Sequence, residues 1–253
     1  MGWGSGQRSW KTSGRMSEQK QRGTRRFWVR PGEKGKIVGL DRDPLFEAPE
    51  HQLRLKNVSG DFERMEKTCL SALGQGCPLC DIGDEPTWVR YATVIELWKA
   101  DDDQLRAIKK LWVLKKRAFE ALAGLVEKRG GILRGWVIEV SRTSEKSASS
   151  GDTFDFEKQI PDGELVGKFK PLLGWLDDPK FNSGPVKMTA EKYLAPYDYA
   201  TLLKPETAEQ LLRLARRLTG TGAQGTYTAQ PDSDGAPPPN DSPLPVDDDS
   251  IPF

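Results

Sequence analysis

The chain contains one histidine, His51, and three cysteines, Cys69, Cys77 and Cys80, and these four residues constrain its fold most strongly. Cys77 and Cys80 form a Cys-x-x-Cys turn, which can direct two thiolates at one ion. Cys69 can join them across a short loop, and His51 can be supplied from the end of a strand. Four such ligands complete the tetrahedral sphere of zinc. The sequence therefore predicts one structural Zn²⁺ and a fold that brings these four positions together.

The same residues have a plainer interpretation. Cys69 would be a small buried apolar residue, Cys77 and Cys80 a redox pair, and His51 an ordinary strand residue. A redox pair of this spacing is expected in a thioredoxin-like βαβ context, which the sequence does not show. Zinc is therefore favoured. A closed sphere of three thiolates and one imidazole leaves no coordination position for water, so it indicates a structural clamp and not a hydrolytic centre.

Strands are predicted from short runs of alternating or β-branched residues between turn residues. The longest runs, 88–99 and 107–116, are joined by a turn at 101–103 and read as a hairpin. Apolar residues spaced three and four apart predict a helix over 117–129, which Gly130 ends. Further strands are predicted at 36–40, 51–56, 133–143 and 153–160.

Five or six strands, with one helix between the hairpin and the closing strands, match a Greek-key barrel of the OB type. We therefore predict a mainly β fold with accessory helices, in the α+β class. An OB-fold core is expected over 27–218, with a zinc-binding subdomain inserted at about 51–86. Within that core, residues 165–200 are poorly periodic and read as an irregular extension, whereas 205–218 predict a helix starting at Pro205.

The two ends of the chain carry opposite charge. Residues 1–26 hold seven lysines and arginines against one glutamate, and the segment after Arg217 holds six aspartates and no basic residue. Both ends are poor in apolar residues, so we expect a disordered basic arm at 1–26 and a disordered Pro/Gly-rich linker with an acidic tip at 219–253. The asymmetry favours an anionic partner for the front and a separate interaction for the back. Two solvated tails are the plainer alternative.

Eight tryptophans occur in the chain, several of them beside lysine or arginine. Alternation over 88–99 places Val89, Tyr91 and Leu97 on a predicted core face and leaves Trp88, Arg90 and Trp98 on the opposite one. Exposed rings stack nucleic-acid bases and cations bind phosphates. Any one tryptophan alone is a usual core residue, and a lysine run can be a solvated edge. The predicted DNA-binding residues are Trp28, Arg30, Trp88, Arg90, Trp98, Lys109, Lys110, Trp112, Lys115, Lys116, Arg134, Trp136 and Arg142.

Several stretches together resemble the phage single-stranded DNA-binding proteins, including the zinc-containing T-even phage type. They are RFWVRPGEKGKIVGL, EHQLRLK, the cysteine cluster ending in CPLC, YATVIELWK and the EKRGG helix end, within about 26–160. The resemblance implies an OB fold with an inserted His-Cys-Cys-Cys zinc subdomain, here His51, Cys69, Cys77 and Cys80. It also implies a protein that coats single strands in replication and recombination. The chain departs from the family in the spacing of the first ligands. It also lacks an obvious counterpart of the family's short basic self-association motif near the start.

The last residues, DDDSIPF, are similar to the Asp-Asp-Asp-Ile-Pro-Phe tip of bacterial single-stranded DNA-binding proteins, with Ser250 inserted. In that setting an apolar pocket takes the terminal phenylalanine, and basic residues take the carboxylates. The resemblance implies docking on replication, recombination or repair enzymes, such as a polymerase, a helicase or primase, or a nuclease. The residues implied are Asp247, Asp248, Asp249, Ile251, Pro252 and Phe253.

The sequence thus predicts a non-enzymatic, sequence-independent binder of single-stranded DNA that recruits partners through its tail. A zinc-containing transcription or clamp-associated adaptor is the alternative, and a metal-dependent nuclease is disfavoured because the single histidine is already used. No run is long and apolar enough for a membrane span, and the first 26 residues lack the apolar centre of a signal peptide. An intracellular, cytoplasmic protein is expected, located in the bacterial host if phage-encoded.

Overall fold

The computed structural model describes residues 24–42, 46–56, 62–100, 104–147, 150–178 and 187–220. These residues form a mixed α+β fold dominated by one eight-stranded sheet, which confirms the predicted class. Most of the predicted basic arm and the whole acidic tip lie outside the described residues. The strands are β1 (Arg26–Phe27), β2 (Lys34–Gly39), β3 (Phe46–Lys56), β4 (Phe62–Thr68), β5 (Thr87–Lys99), β6 (Leu105–Lys115), β7 (Trp136–Ser141) and β8 (Thr153–Gln159).

Helices are few and mostly short among the described residues. They are α1 (Pro78–Asp81), α2 (Lys116–Glu127), α3 (Asp162–Phe169), α4 (Ala190–Tyr193), α5 (Tyr199–Leu202) and α6 (Ala208–Leu218), with 3₁₀ segments at Leu70–Leu73 and Lys170–Asp177. The described part of the chain has no helix with the length and apolar character needed to cross a membrane.

The sheet runs in the order β1-β6-β5-β2-β7-β8, with β3 beside β5 and β4 beside β3. The β1–β6 contact is parallel, and the other strand pairs of the described residues are antiparallel. The predicted long hairpin is present as β5 and β6, and α2 follows it directly. In sequence, β3, β4 and the four potential metal ligands all fall between β2 and β5. They therefore form an insertion into an otherwise six-stranded path.

Both faces of β5 are buried at its centre, so the prediction of one core face and one open face is wrong there. Ala92 and Val94 lie in an inner cluster, whereas Ile95 and Leu97 lie in an outer cluster on the other side of the sheet. Only the ends of the strand remain accessible, at Trp88 and, to a lesser degree, Trp98. The alternation of residues along β5 correctly separates its two faces. It does not show which part of the chain packs on the second face.

The inner cluster forms where α2 packs against one face of the sheet. Ala118 and Leu122 of α2 pack with Trp112 and Leu114 of β6 and with Ile138 of β7. Burial of apolar surface stabilises a fold by about 25 cal/mol per Å², so this cluster stabilises the contact between α2 and the sheet.

The outer cluster explains the segment that the sequence left as irregular. Ile95 and Leu97 of β5 are covered by three downstream residues, Leu165, Phe169 and Leu173. Leu194, which directly follows α4, completes the cluster. These helices are too short to show a long 3.6-residue period, although their apolar residues are buried as in longer helices. Residues 162–178 and 187–203 thus act as a cover on the outer side of β5 and β6.

Helix α6 begins at Ala208 rather than at Pro205. Its start is fixed by a capping box, in which the Thr207 side chain accepts from the Gln210 backbone and the Gln210 side chain accepts from the Thr207 backbone. Leu211 and Leu214 are buried against Leu53 and Leu79 of the insertion. The C-terminal helix therefore seats on the metal-ligand region and not on the inner or outer cluster.

Candidate metal centre and nucleic-acid surface

The four potential ligands come from three local structures of the insertion. His51 lies in β3, where it pairs with Lys67 of β4. Cys69 follows β4 directly and caps the 3₁₀ segment Leu70–Leu73, with its sulfur accepting from the Ser71 backbone at 3.4 Å. Cys77 and Cys80 flank the start and end of the first turn of α1, which Pro78 initiates. The antiparallel β3–β4 pair thus carries the chain from His51 back to Cys69.

Their ligand atoms converge on one point. All four lie within 4.8 Å of one another. Cys77 Sγ is 3.4 Å and Cys80 Sγ is 3.7 Å from His51 Nε2, and Cys69 Sγ is 3.6 Å from Cys80 Sγ. Zinc–sulfur bonds of about 2.3 Å and zinc–nitrogen bonds of about 2.0 Å give tetrahedral edges of roughly 3.5–3.8 Å. The cluster therefore has the dimensions and the donor set to hold a metal ion.

Asp84 completes the surroundings of the histidine. Its Oδ2 is 2.5 Å from His51 Nδ1, the ring nitrogen that faces away from the sulfurs. A carboxylate in this position accepts the Nδ1 proton and leaves Nε2 with its lone pair toward the metal. Asp84 was not predicted from the sequence. Asp81, Asp84 and Glu85 are all acidic, and their spacing does not show which of them contacts the histidine.

Without a metal, the pKa values of His51 and Cys80 are raised, so these ligands keep protons that metal binding must remove. Burial opposes the charged form of His51, but hydrogen bonds to Asp84, Cys69 and Cys77 raise its pKa to about 9. Burial and the neighbouring thiols raise the pKa of Cys80 to about 12. For Cys77, burial raises the pKa, but backbone hydrogen bonds from Cys80, Leu70 and Leu79 outweigh it and lower the value to about 7. A dication would remove this conflict by accepting the lone pairs.

Metal affinity is therefore expected to fall steeply as the pH falls. At pH 7 the metal-free cluster holds a proton on His51 and one on Cys80, and these protons, with any on the other two thiols, must leave when a metal binds. Release of two or more protons lowers the affinity by about 100-fold or more for each pH unit of acidification. Zinc competition titrations at pH 6, 7 and 8 measure this slope. An affinity that stays constant over that range would contradict the assigned ligand set.

Three of the predicted DNA-binding residues are buried by the protein itself, and their assignment to an open surface is wrong. Trp112 is fully buried, with its ring 6.0 Å from that of Phe27 and its Nε1 donating to the Ser150 carbonyl at 2.9 Å. Lys110 forms a buried ion pair with Glu96. Arg142 is 2% exposed and donates to loop carbonyls. Each side chain has its partners inside the fold, so none of the three is available to a ligand.

Others are partly exposed but engaged in contacts that stabilise the fold. They are Trp98, packed on the outer cluster; Lys109, 4.2 Å above the Tyr197 ring; Arg134, which donates to the Leu40 carbonyl and pairs with Asp162; and Trp136, edge-on to Phe156 at 5.5 Å. Burial lowers the pKa of Lys109 to about 8, although nearby Asp41 raises it. These contacts tie the sheet to the cover and to the loops.

The remaining predicted residues form two accessible groups. Trp88 is 56% exposed at the start of β5, and Arg90, two residues along the same face, pairs with Glu47 at 3.0 Å and lies over the Phe119 ring at 4.1 Å. Lys115 lies opposite Val89, on the other face of the sheet from Trp88 and Arg90, and exposed Lys116 follows it at this end of the hairpin. We call Trp88, Arg90, Lys115 and Lys116 the hairpin-end group. The second group is Trp28 with Arg30, whose guanidinium lies 5.8 Å from the ring centre.

Comparison with known proteins finds no match for this chain among family models, curated proteins or solved structures. The geometry of the insertion and of the accessible groups is therefore the basis for the function.

Proposed function

We propose that this chain is a sequence-independent single-stranded DNA-binding protein without catalytic activity. The observation that carries the proposal is the sheet path β6-β5-β2-β7-β8, with α2 between β6 and β7. This is the strand order of a five-stranded OB barrel, a fold that binds oligonucleotides along its second and third strands and adjoining loops. The order also supports the resemblance to phage single-stranded DNA-binding proteins.

In this assignment the insertion between β2 and β5 is a zinc-binding subdomain in the loop after the first barrel strand. Zinc fits the donor set best, because three thiolates and one imidazole are soft or borderline ligands and four is its structural coordination number. The ion holds β3, β4 and α1 together, and Asp84 orients His51. All four positions are filled by protein, so the metal has a structural role.

DNA binding is assigned to the hairpin-end group, because an OB fold alone does not imply a function. The exposed Trp88 ring offers a stacking surface for bases, and Arg90, Lys115 and Lys116 offer cations for phosphates. Neither contact depends on base identity. We further propose that the acidic tip recruits replication, recombination or repair enzymes in the host cytoplasm.

Binding of oligo-dT is expected to quench tryptophan emission, with part of the quenching lost in Trp88→Phe. Trp88→Ala should weaken binding about 5- to 100-fold, since stacking is worth about 1–3 kcal/mol per base. Trp98→Ala serves as the matched control, because Trp98 packs on the outer cluster. Equal quenching and affinity in Trp88→Ala and in the unmodified chain would contradict the role of the hairpin-end group.

A further inference from the structure

The β3–β4 pair carries two arginines in an arrangement that is unfavourable for the protein alone. Arg54 of β3 and Arg64 of β4 are direct cross-strand partners, and both are exposed. Like charges opposite each other on a strand pair destabilise it by a few tenths of a kcal/mol to about 1 kcal/mol. The presence of such a pair is explained if an anion lies between the two guanidinium groups.

The described residues neutralise this pair only partly. Arg64 Nε is 3.3 Å from a Glu66 carboxylate oxygen, and Arg64 Nη2 donates to Gln52 at 3.1 Å. For Arg54, the described residues include no carboxylate within ion-pair distance. Among Arg54, Arg64 and Glu66, one positive charge therefore remains on the outer face of the insertion.

An aromatic ring completes the surface. Phe62 begins β4 and lies on the same face as Arg64, two residues away, with 66% of its surface exposed. A large apolar ring at this exposure beside guanidinium groups matches the needs of an unpaired nucleotide, with a phosphate for the arginines and a base for the ring. We call Arg54, Arg64 and Phe62 the arm patch.

We propose that the arm patch is a second contact for single-stranded DNA, in which Arg54 and Arg64 hold a backbone phosphate and Phe62 stacks a base. The inference rests on the proposed function and adds to it. The register places Arg54 on the outer face with Glu50 and Phe46, whereas Trp88 lies on the opposite face with Pro49. The arm patch is therefore distinct from the hairpin-end group. The zinc-binding insertion then contributes its own DNA contacts, besides its structural role.

The test is the salt dependence of oligo-dT binding by the full chain. Removing the contacts to this one phosphate reduces the slope of log K against log salt by about 0.7 and weakens binding about 5-fold at roughly 0.1 M salt. Arg54→Ala/Arg64→Ala should show both changes, Arg54→Lys/Arg64→Lys should recover the slope, and Phe62→Ala should weaken binding about 5-fold or more with the slope unchanged.

Arg213→Ala/Arg217→Ala on the exposed side of α6 is the control, because it removes the same charge from another surface. Zinc content, measured on every variant, shows whether the insertion stays folded. An arm variant that keeps its zinc, its slope and its affinity would overturn this inference alone. An unmodified chain that does not bind oligo-dT at all would overturn the proposed function as well.

Discussion

Removing the metal is expected to unfold the insertion and release α6, while the strands outside the insertion keep their protection from hydrogen exchange. Cys69 and Cys77 share one apolar cluster with Leu211 and Leu214 of α6, so the ligands and the helix seat form a single packed unit. Metal binding contributes roughly 10 kcal/mol to the folding of such small units. Hydrogen exchange of the chelated protein measures the loss, at β3, β4 and α6.

Readdition of Zn²⁺ should restore protection, whereas Mg²⁺ should not, because it prefers oxygen ligands. Cys77→Ser should reproduce the chelated state without a chelator. Unchanged protection of α6 in the metal-free protein would contradict the coupling between the centre and the helix. An equal loss of protection from exchange in β5, β6 and β7 would show that the insertion and the rest of the sheet unfold as one unit.

Trp112→Ala is expected to cost about 3–5 kcal/mol of the free energy of unfolding and to lower the melting temperature by roughly 10 °C. Its ring is fully buried between Phe27 and Phe154, at centroid distances of 6.0 and 5.6 Å. The substitution also removes the donor to the Ser150 carbonyl. Thermal or urea denaturation with near-ultraviolet circular dichroism measures the loss.

Trp88→Ala is the matched substitution on the surface, and it should change stability by less than about 0.5 kcal/mol while weakening DNA binding. If Trp112→Ala does not fold, Trp112→Phe keeps most of the ring packing and loses the hydrogen bond. A Trp112 variant with unchanged stability and reduced DNA affinity would show that the ring faces a ligand after all, as the sequence pattern indicated.

The cysteine spacing and the strand alternation carried much of the fold prediction. His51, Cys69, Cys77 and Cys80 were identified as one set from their scarcity, and the structure brings their ligand atoms together. The long hairpin and α2 were predicted within two residues of their observed bounds. Local chemistry determines these elements, so a local pattern is enough to find them.

The parts that were missed depend on distant packing. β4 reads FERMEKT, with few β-branched residues, and it is a strand because it pairs with β3. Trp112 and Lys110 sit among cations in the sequence, but β1 and Glu96 enclose them in the fold. The face of β5 that was predicted to be open is buried by α2, β7 and β8, which lie about twenty-five to sixty residues downstream. No window of neighbouring residues contains that information.

We propose that this fold binds unpaired DNA whatever its sequence. Fluorescence anisotropy of a labelled mixed-sequence oligonucleotide, of oligo-dT and of the corresponding duplex, all at one salt concentration, tests it most directly. We expect the two single strands to bind with affinities within about tenfold of each other and the duplex to bind far more weakly, because stacking needs bases that are free of their partners. Tight binding of the duplex, or of one sequence only, would contradict the claim.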